Sequence, residues 1–219
     1  MIDLQAYLEK KLRSIISIWH ADDIYAISFF VYANEVYEYD GFSNVTQFFV
    51  SYQTESDCCG EDELSEERWN YAFWQQNETP VIEADDGDEG MKILFDWYRE
   101  NGIEHIGRCE DPAACYNEKM RYIGKGPVGY YELLSEIAAV ARKLHLSGFI
   151  KAQFGRPVPI ILHELEYPWY CMEATAKATP NGEADTFFAA MKQLGVMSSF
   201  MRFSNLRNLL YIILWNNAI

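Results

Sequence analysis

IYAISFFVYA at residues 24–33 and NVTQFFVSYQ at 44–53 are the stretches that decide the fold. Both are dense in aromatic and β-branched residues, which suit a pleated, half-buried surface, and a break carrying Asp40 and Gly41 separates them. The pattern predicts two adjacent strands joined as a hairpin. Upstream, Asp3 stands where it can cap a helix bearing Leu4, Leu8, Leu12, Ile15 and Ile16 at three-to-four spacing and ending near Trp19 and His20. Downstream, MKILFDWYREN after Asp88 predicts a helix that stops at Asn101 and Gly102. YYELLSEIAAVARKLHL, residues 130–146, predicts the clearest helix and ends near Gly148. FIKAQFGRPVPIILHELEY, residues 149–167, reads as two strands turning at Gly155 and Arg156, and helix returns from Glu183 onward. Strands in adjacent pairs, not in alternation with helices, make the class α+β. The expected architecture is a single domain over residues 1–194, with a mainly antiparallel sheet of paired strands flanked by helices. Residues 195–219 are expected to be a C-terminal apolar helical extension, in which Leu206, Leu209, Leu210 and Ile213 recur at helical spacing.

Charge narrows the function. The 219 residues hold 33 acidic and 18 basic side chains, a formal net charge of −15, which argues against binding a nucleic acid backbone. Hydrophobic residues at 49% and charged ones at 23% suit a folded soluble domain and not a disordered tail. No signal-peptide pattern is visible at the start. The apolar run NLLYIILWNNAI near the end is too short for a bilayer, which takes about 20 residues of helix, so no membrane association is expected. Five scattered cysteines, Cys58, Cys59, Cys109, Cys115 and Cys171, do not form a paired disulfide framework and read as reduced thiols of a cytoplasmic, bacterial-type protein.

Residues 55–89 carry 13 acids against a single cation, Arg68, and so account for most of the net charge. RWNYAFW, residues 68–74, lies within this segment, and a disordered acidic linker has no need of such rings. An ordered island between solvated loops is expected. Its acids Asp57, Glu61, Asp62, Glu63, Glu66 and Glu67, with Trp69 and Trp74, are the candidate partner-binding residues, because aromatic anchors inside a polar rim dominate protein interfaces. The competing reading of the tryptophans is that they close over the sheet as core.

Other patterns are weaker. Gly124-Lys125-Gly126-Pro127-Val128-Gly129 fits GxGxxG before a helix, but Pro127 removes an amide and no acid follows about 20 residues later, so a glycine-rich approach to a helix start is the better account. His105, Cys109 and Cys115 do not have zinc-ligand spacing. The acids Asp85, Asp86, Asp88 and Glu89 fit a calcium loop poorly, since Gly87 takes a ligand position and Asp96 stands where the bidentate glutamate belongs. No metal and no cofactor are expected. His163 and Glu164 begin HELE, not HExxH, and strand alternation puts His163 with Ile161 and Leu165 on one face and Glu164 with Glu166 on the other. No nucleophile elbow, P-loop or CxxC is present, which removes the positive argument for an enzyme. The alternative to a binding protein is a small-molecule enzyme or ligand-binding protein with a cleft near Gly124 to Gly129 and Glu164 or His163.

The order of YAISFFVYAN, RWNYAFW, GPVGYYELLSEIA and ATAKATPNG over roughly residues 1 to 194 resembles an uncharacterised bacterial family, a domain of unknown function, found as small acidic cytosolic proteins. Families of this kind are similar to immunity proteins of bacterial toxin systems. The resemblance implies an inhibitor that binds and blocks a cognate toxin, and the acidic segment 55–89 makes a basic toxin such as a nuclease the expected partner.

Overall fold

The computed structural model describes residues 3–109, 111 and 114–196. The two predicted strands are β1 (Ile24–Ala33) and β4 (Thr46–Thr54), antiparallel in a register that sets Phe29 opposite Val50. Between them a small ribbon, β2 (Glu38–Tyr39) and β3 (Phe42–Ser43), turns at Asp40 and Gly41. Both turn residues have positive φ, 51° and 80°, the geometry of a turn whose twist matches the strands it joins. β5 (Thr79–Ile82) adds antiparallel to β4, and β6 (Ile160–His163) adds parallel to β1, giving the order β5-β4-β1-β6. The class is α+β, and the main sheet is mixed: its one parallel pair joins segments more than 120 residues apart.

Alternation divides the sheet into two unlike faces. Ile27, Phe29, Val31, Phe48, Val50, Ile160 and Leu162 point to one side, into the larger core. That side is covered by α1 (Leu4–Ile16), α3 (Glu89–Glu100) and α4 (Tyr130–Leu146), each starting at a satisfied cap. Asp3 accepts from the Ala6 amide at 2.9 Å, Asp88 from the Met91 amide at 2.7 Å, and Glu132 from the Gly129 amide at 3.0 Å. Ser28, Ser51, Gln53, Ile161 and His163 point to the other side, beneath the acidic island. A bulge between Ile24 and Ala26 puts Tyr25 on this second face beside Ala26, where both join the smaller core.

Residues 149–154 depart from the sequence reading. Instead of a strand they form a short helix, α5 (Phe149–Phe154), bracketed by Gly148 and Gly155, both left-handed. The two glycines let the chain enter and leave a single helical turn that buries Ile150, and only after Pro157 and Pro159 does it extend into β6. α6 (Trp169–Ala178), which the sequence reading did not anticipate, packs along the outer edge of β6. There the Thr175 hydroxyl accepts from the Leu162 amide at 2.9 Å and lies 3.3 Å from the Leu162 carbonyl, to which it donates. One side chain thus satisfies the outward backbone groups of an edge strand. α2 (Glu66–Trp69), a 3₁₀ turn at Tyr71–Phe73 and α7 (Asp185–Gln193) cover the second face. The expected helical extension at 195–219 lies outside the described residues apart from Gly195 and Val196. Among the described residues, no helix is long and apolar enough to cross a membrane.

Candidate functional site

The acidic segment is an ordered layer, and one buried cation organises it. Arg68 is 8% exposed; its guanidinium donates to both Glu55 carboxylate oxygens, at 2.8 and 2.6 Å, and lies 4.0 Å from the centre of the Tyr25 ring. The bulge in β1 is what brings Tyr25 to this position. Arg68 holds the Glu55 carboxyl below its ordinary range. Around this anchor the Arg68 carbonyl accepts from Tyr25 Oη at 2.5 Å and from Trp74 Nε1 at 2.9 Å, and the Glu63 carbonyl accepts from Trp69 Nε1 at 2.7 Å. Tyr167 Oη donates to the Trp69 carbonyl.

These bonds correct one part of the expected surface. Trp69 is 3% and Trp74 4% exposed, edge-on to Tyr25, with both indole N–H groups committed internally. They are core residues of the island, and a partner cannot reach them without opening it. The ring this island presents to solvent is Phe73, at 56% exposure. The six candidate acids, Asp57, Glu61, Asp62, Glu63, Glu66 and Glu67, are all exposed. The structure therefore leaves all six carboxylates at the surface and both tryptophans beneath it.

His163 also lies elsewhere than a reaction would need it. It is fully buried under the island, stacked on Phe30 and 4.4 Å from the Tyr71 ring centre. The Leu165 amide donates to its Nδ1 at 3.3 Å, so the ring proton sits on Nε2, 2.7 Å from Ser28 Oγ, and is donated to that oxygen. This is the wrong tautomer for taking a proton from Ser28, and burial pushes the imidazole down to about 3. His163 is a neutral member of a buried polar layer in which Tyr71 donates onward to Glu78 at 2.7 Å.

Glu164, one residue on, faces an open cleft of about 800 Å³ between the 164–169 turn, α2 and α7. Tyr170 Oη donates to its carboxylate at 2.5 Å, and burial pushes the carboxyl up. Glu66 and Glu166 supply further acid to the lining, and Trp169, Met172 and Met191 supply apolar surface. Leu165, at the tip of the turn, has φ +79° and is 57% exposed. Strand alternation sends this leucine inward, but the strand ends at His163 and the turn throws it out. Tyr122, Leu165, Leu194 and Val196, four of the large apolar residues exposed in the structure, all line this cleft. The sequence signal for it was HELEY itself, an apolar residue between two glutamates where a turn and not a strand sets the direction of the side chains.

The Gly124–Gly129 stretch abuts the cleft, its Gly124 carbonyl accepting from Trp169 Nε1 at 2.9 Å. Three of its five amides are already engaged: Gly126 donates to Tyr122 Oη, Val128 to the Arg108 carbonyl and Gly129 to Glu132. Gly129 is required by its φ of +93°, and a Cβ there would stand 2.9 Å from Tyr98 Oη, which donates to the Gly129 carbonyl. The stretch is a helix entrance, and the amides nearest the helix start are committed within the protein instead of turned to a phosphate. In the 85–89 loop Asp88 caps α3 and Asp85 accepts from the Gly87 amide, so two of the acids of the imagined calcium loop serve the turn. Among the described residues, no group of three or more His, Cys, Asp or Glu is placed to hold a metal ion. No family model, curated protein or solved structure matches the chain.

Proposed function

We propose that the protein is a non-catalytic binding protein that holds a basic protein partner against the acidic face at residues 57–67, as an immunity protein holds a basic toxin. The observation that carries this reading is the pairing of six exposed carboxylates with one buried cation. Arg68, the only cation of residues 55–89, is spent inside the island on Glu55, so the outer face keeps its full negative charge on an ordered support. Such a face steers a cationic partner and accelerates encounter, and the ordered scaffold spares the partner the cost of fixing a loop. Phe73, and not the buried tryptophans, is the aromatic contact available on the island. The test is retention of a basic protein by the tagged full chain from the native cell. Replacing Asp57, Glu61, Asp62, Glu63, Glu66 and Glu67 with their amides should abolish that retention. Equal retention by both forms would reduce the acidic face to a solubility device.

One observation favours a second reading, a small-molecule site: Glu164 is a carboxyl pushed up by burial and aimed into a cleft, a common setting for a binding or proton-transferring group. His163 and the glycine stretch do not belong to that site. A ligand protecting the chain against heat, with the protection lost in Glu164→Gln, would promote this reading.

A further inference from the structure

We propose that the cleft beside the 164–169 turn is a docking groove for residues 197–219 of the same chain. The inference does not depend on the acidic-face reading, with which it shares only Glu66.

Three observations converge. First, Leu194 and Val196 line the cleft, so the chain is already on its wall at the last described residue. Second, the cleft gathers exposed apolar side chains, Tyr122 and Leu165 among them, into one place, and contiguous exposed apolar surface marks a contact site. Of the 23 residues that follow, 14 are apolar, and Leu206, Leu209, Leu210 and Ile213 share the i, i+3, i+4, i+7 spacing of one helix face. Third, the charges are complementary. Residues 197–219 contain Arg202 and Arg207 and no acid, in a chain whose net charge is −15, whereas the cleft lining sets three acids, Glu66, Glu164 and Glu166, against one cation, Arg121.

Reach and tethering agree with this occupant. Arg202 lies six residues past Val196, about 9 Å along a helix and at most about 20 Å extended, the same order as the linear dimension of an 800 Å³ cleft. A segment tethered at the rim meets the groove at an effective concentration in about the millimolar range, so even a weak intrinsic contact fills it and outcompetes a separate molecule. Docking buries the apolar stripe, gives Leu165 a contact and sets the arginines against the carboxylates. It also closes the cleft to a small molecule, so the same experiment decides the second reading above.

The test places a photoreactive benzoylphenylalanine at Leu206, and separately at Leu210, in the full-length chain. The dilute protein is irradiated and the adducts are mapped by mass spectrometry. The expected result is adducts within one chain to residues 164–172 or 191–194, at a yield independent of protein concentration. The Leu165→Asp, Glu166→Lys double variant, altered only at exposed side chains, should melt cooperatively and lower that yield several-fold. Adducts elsewhere in the chain, adducts between chains whose yield rises with concentration, or no adducts from either position would overturn the proposal.

Discussion

Leu165 holds a leucine where the backbone favours glycine: φ +79° in a turn closed by the Glu164 amide on the Glu166 carbonyl, with the side chain in solvent. A non-glycine residue at such an angle costs about 1–2 kcal/mol, partly recovered as the lower entropy of its unfolded chain. Leu165→Gly removes that strain together with the contact that docking of residues 197–219 gives the leucine, so stability is expected to stay within about 1 kcal/mol of the parent, about 2–4 °C in melting temperature, while the docking itself weakens. A melting point lowered beyond that range would mean that the leucine packs against the body of the domain and not against a weakly docked segment. His163 makes the second residue-scale prediction. Its folded pKa of about 3 lies below the ordinary 6.5, so the unfolded chain accepts a proton that the folded chain refuses. That contribution is neutral to stability above 6.5 and becomes a loss as pH falls, by about 1.4 kcal/mol per unit towards 3. His145, also pushed down by burial, acts in the same direction. Glu164, pushed up, opposes it, and below pH about 5 the other carboxylates begin to shed the repulsion of the acidic surface. Denaturant midpoints between pH 7 and 5.2 should fall, and His163→Asn should flatten the trend even if it lowers the plateau. A trend as steep in the variant as in the parent would remove His163 from the account.

At the scale of elements, β6 is a four-residue edge strand whose outward amide and carbonyl at Leu162 both meet Thr175 of α6. Thr175→Val keeps the shape and leaves both buried groups unpaired, which should cost about 1–3 kcal/mol, whereas Thr175→Ser should cost less than half as much. Equal costs for the two would show that packing, and not hydrogen bonding, ties α6 to the sheet. The acidic island offers a parallel test. Arg68→Met should leave the sheet melting as one unit but speed proteolysis within residues 55–65, because the turn loses the two bonds to Glu55 that pin it. An unchanged cleavage rate would contradict the anchoring role. These elements differ in how openly the sequence announced them. α1, α3 and α4 each carry a cap and a periodic apolar stripe, and β1 and β4 are dense in β-branched and aromatic residues, so local chemistry sufficed. α5 is six residues long with a single fully buried side chain, too short to show a period, and the aromatic residues around Gly155 imitate a hairpin. The parallel pairing of β6 with β1 depends on long-range packing that no local window contains.

At the scale of the molecule, the sheet divides the protein into a side covered by α1, α3 and α4 and a side covered by α2, the Tyr71–Phe73 turn and α7, the side on which the acidic island lies. The carboxylates of that acidic side were legible from composition, because a run of acids with one cation has few places to be except outside. The burial of Trp69 and Trp74 was not: aromatic residues serve cores and interfaces alike, and what decided between them was a bulge at Tyr25 that turned its ring towards Arg68. The sequence suggested a cleft near Gly124 to Gly129 and Glu164 or His163, but not its lining, which comes from α2, the 164–169 turn and α7, segments distant in sequence that only the fold brings together. The central claim is that the acidic face captures a basic protein partner. It is tested most directly by the association rate constant for the captured partner, measured at about 20 and 200 mM salt with the parent chain and with the variant in which the six acids are replaced by amides. Surface steering raises such rates by about 10- to 1000-fold and is screened by salt. The account predicts that the parent associates at least tenfold faster at low salt than at high, and that the variant is slow and nearly indifferent to salt while dissociating at a similar rate. Matching rates and salt dependence for the two proteins would contradict it.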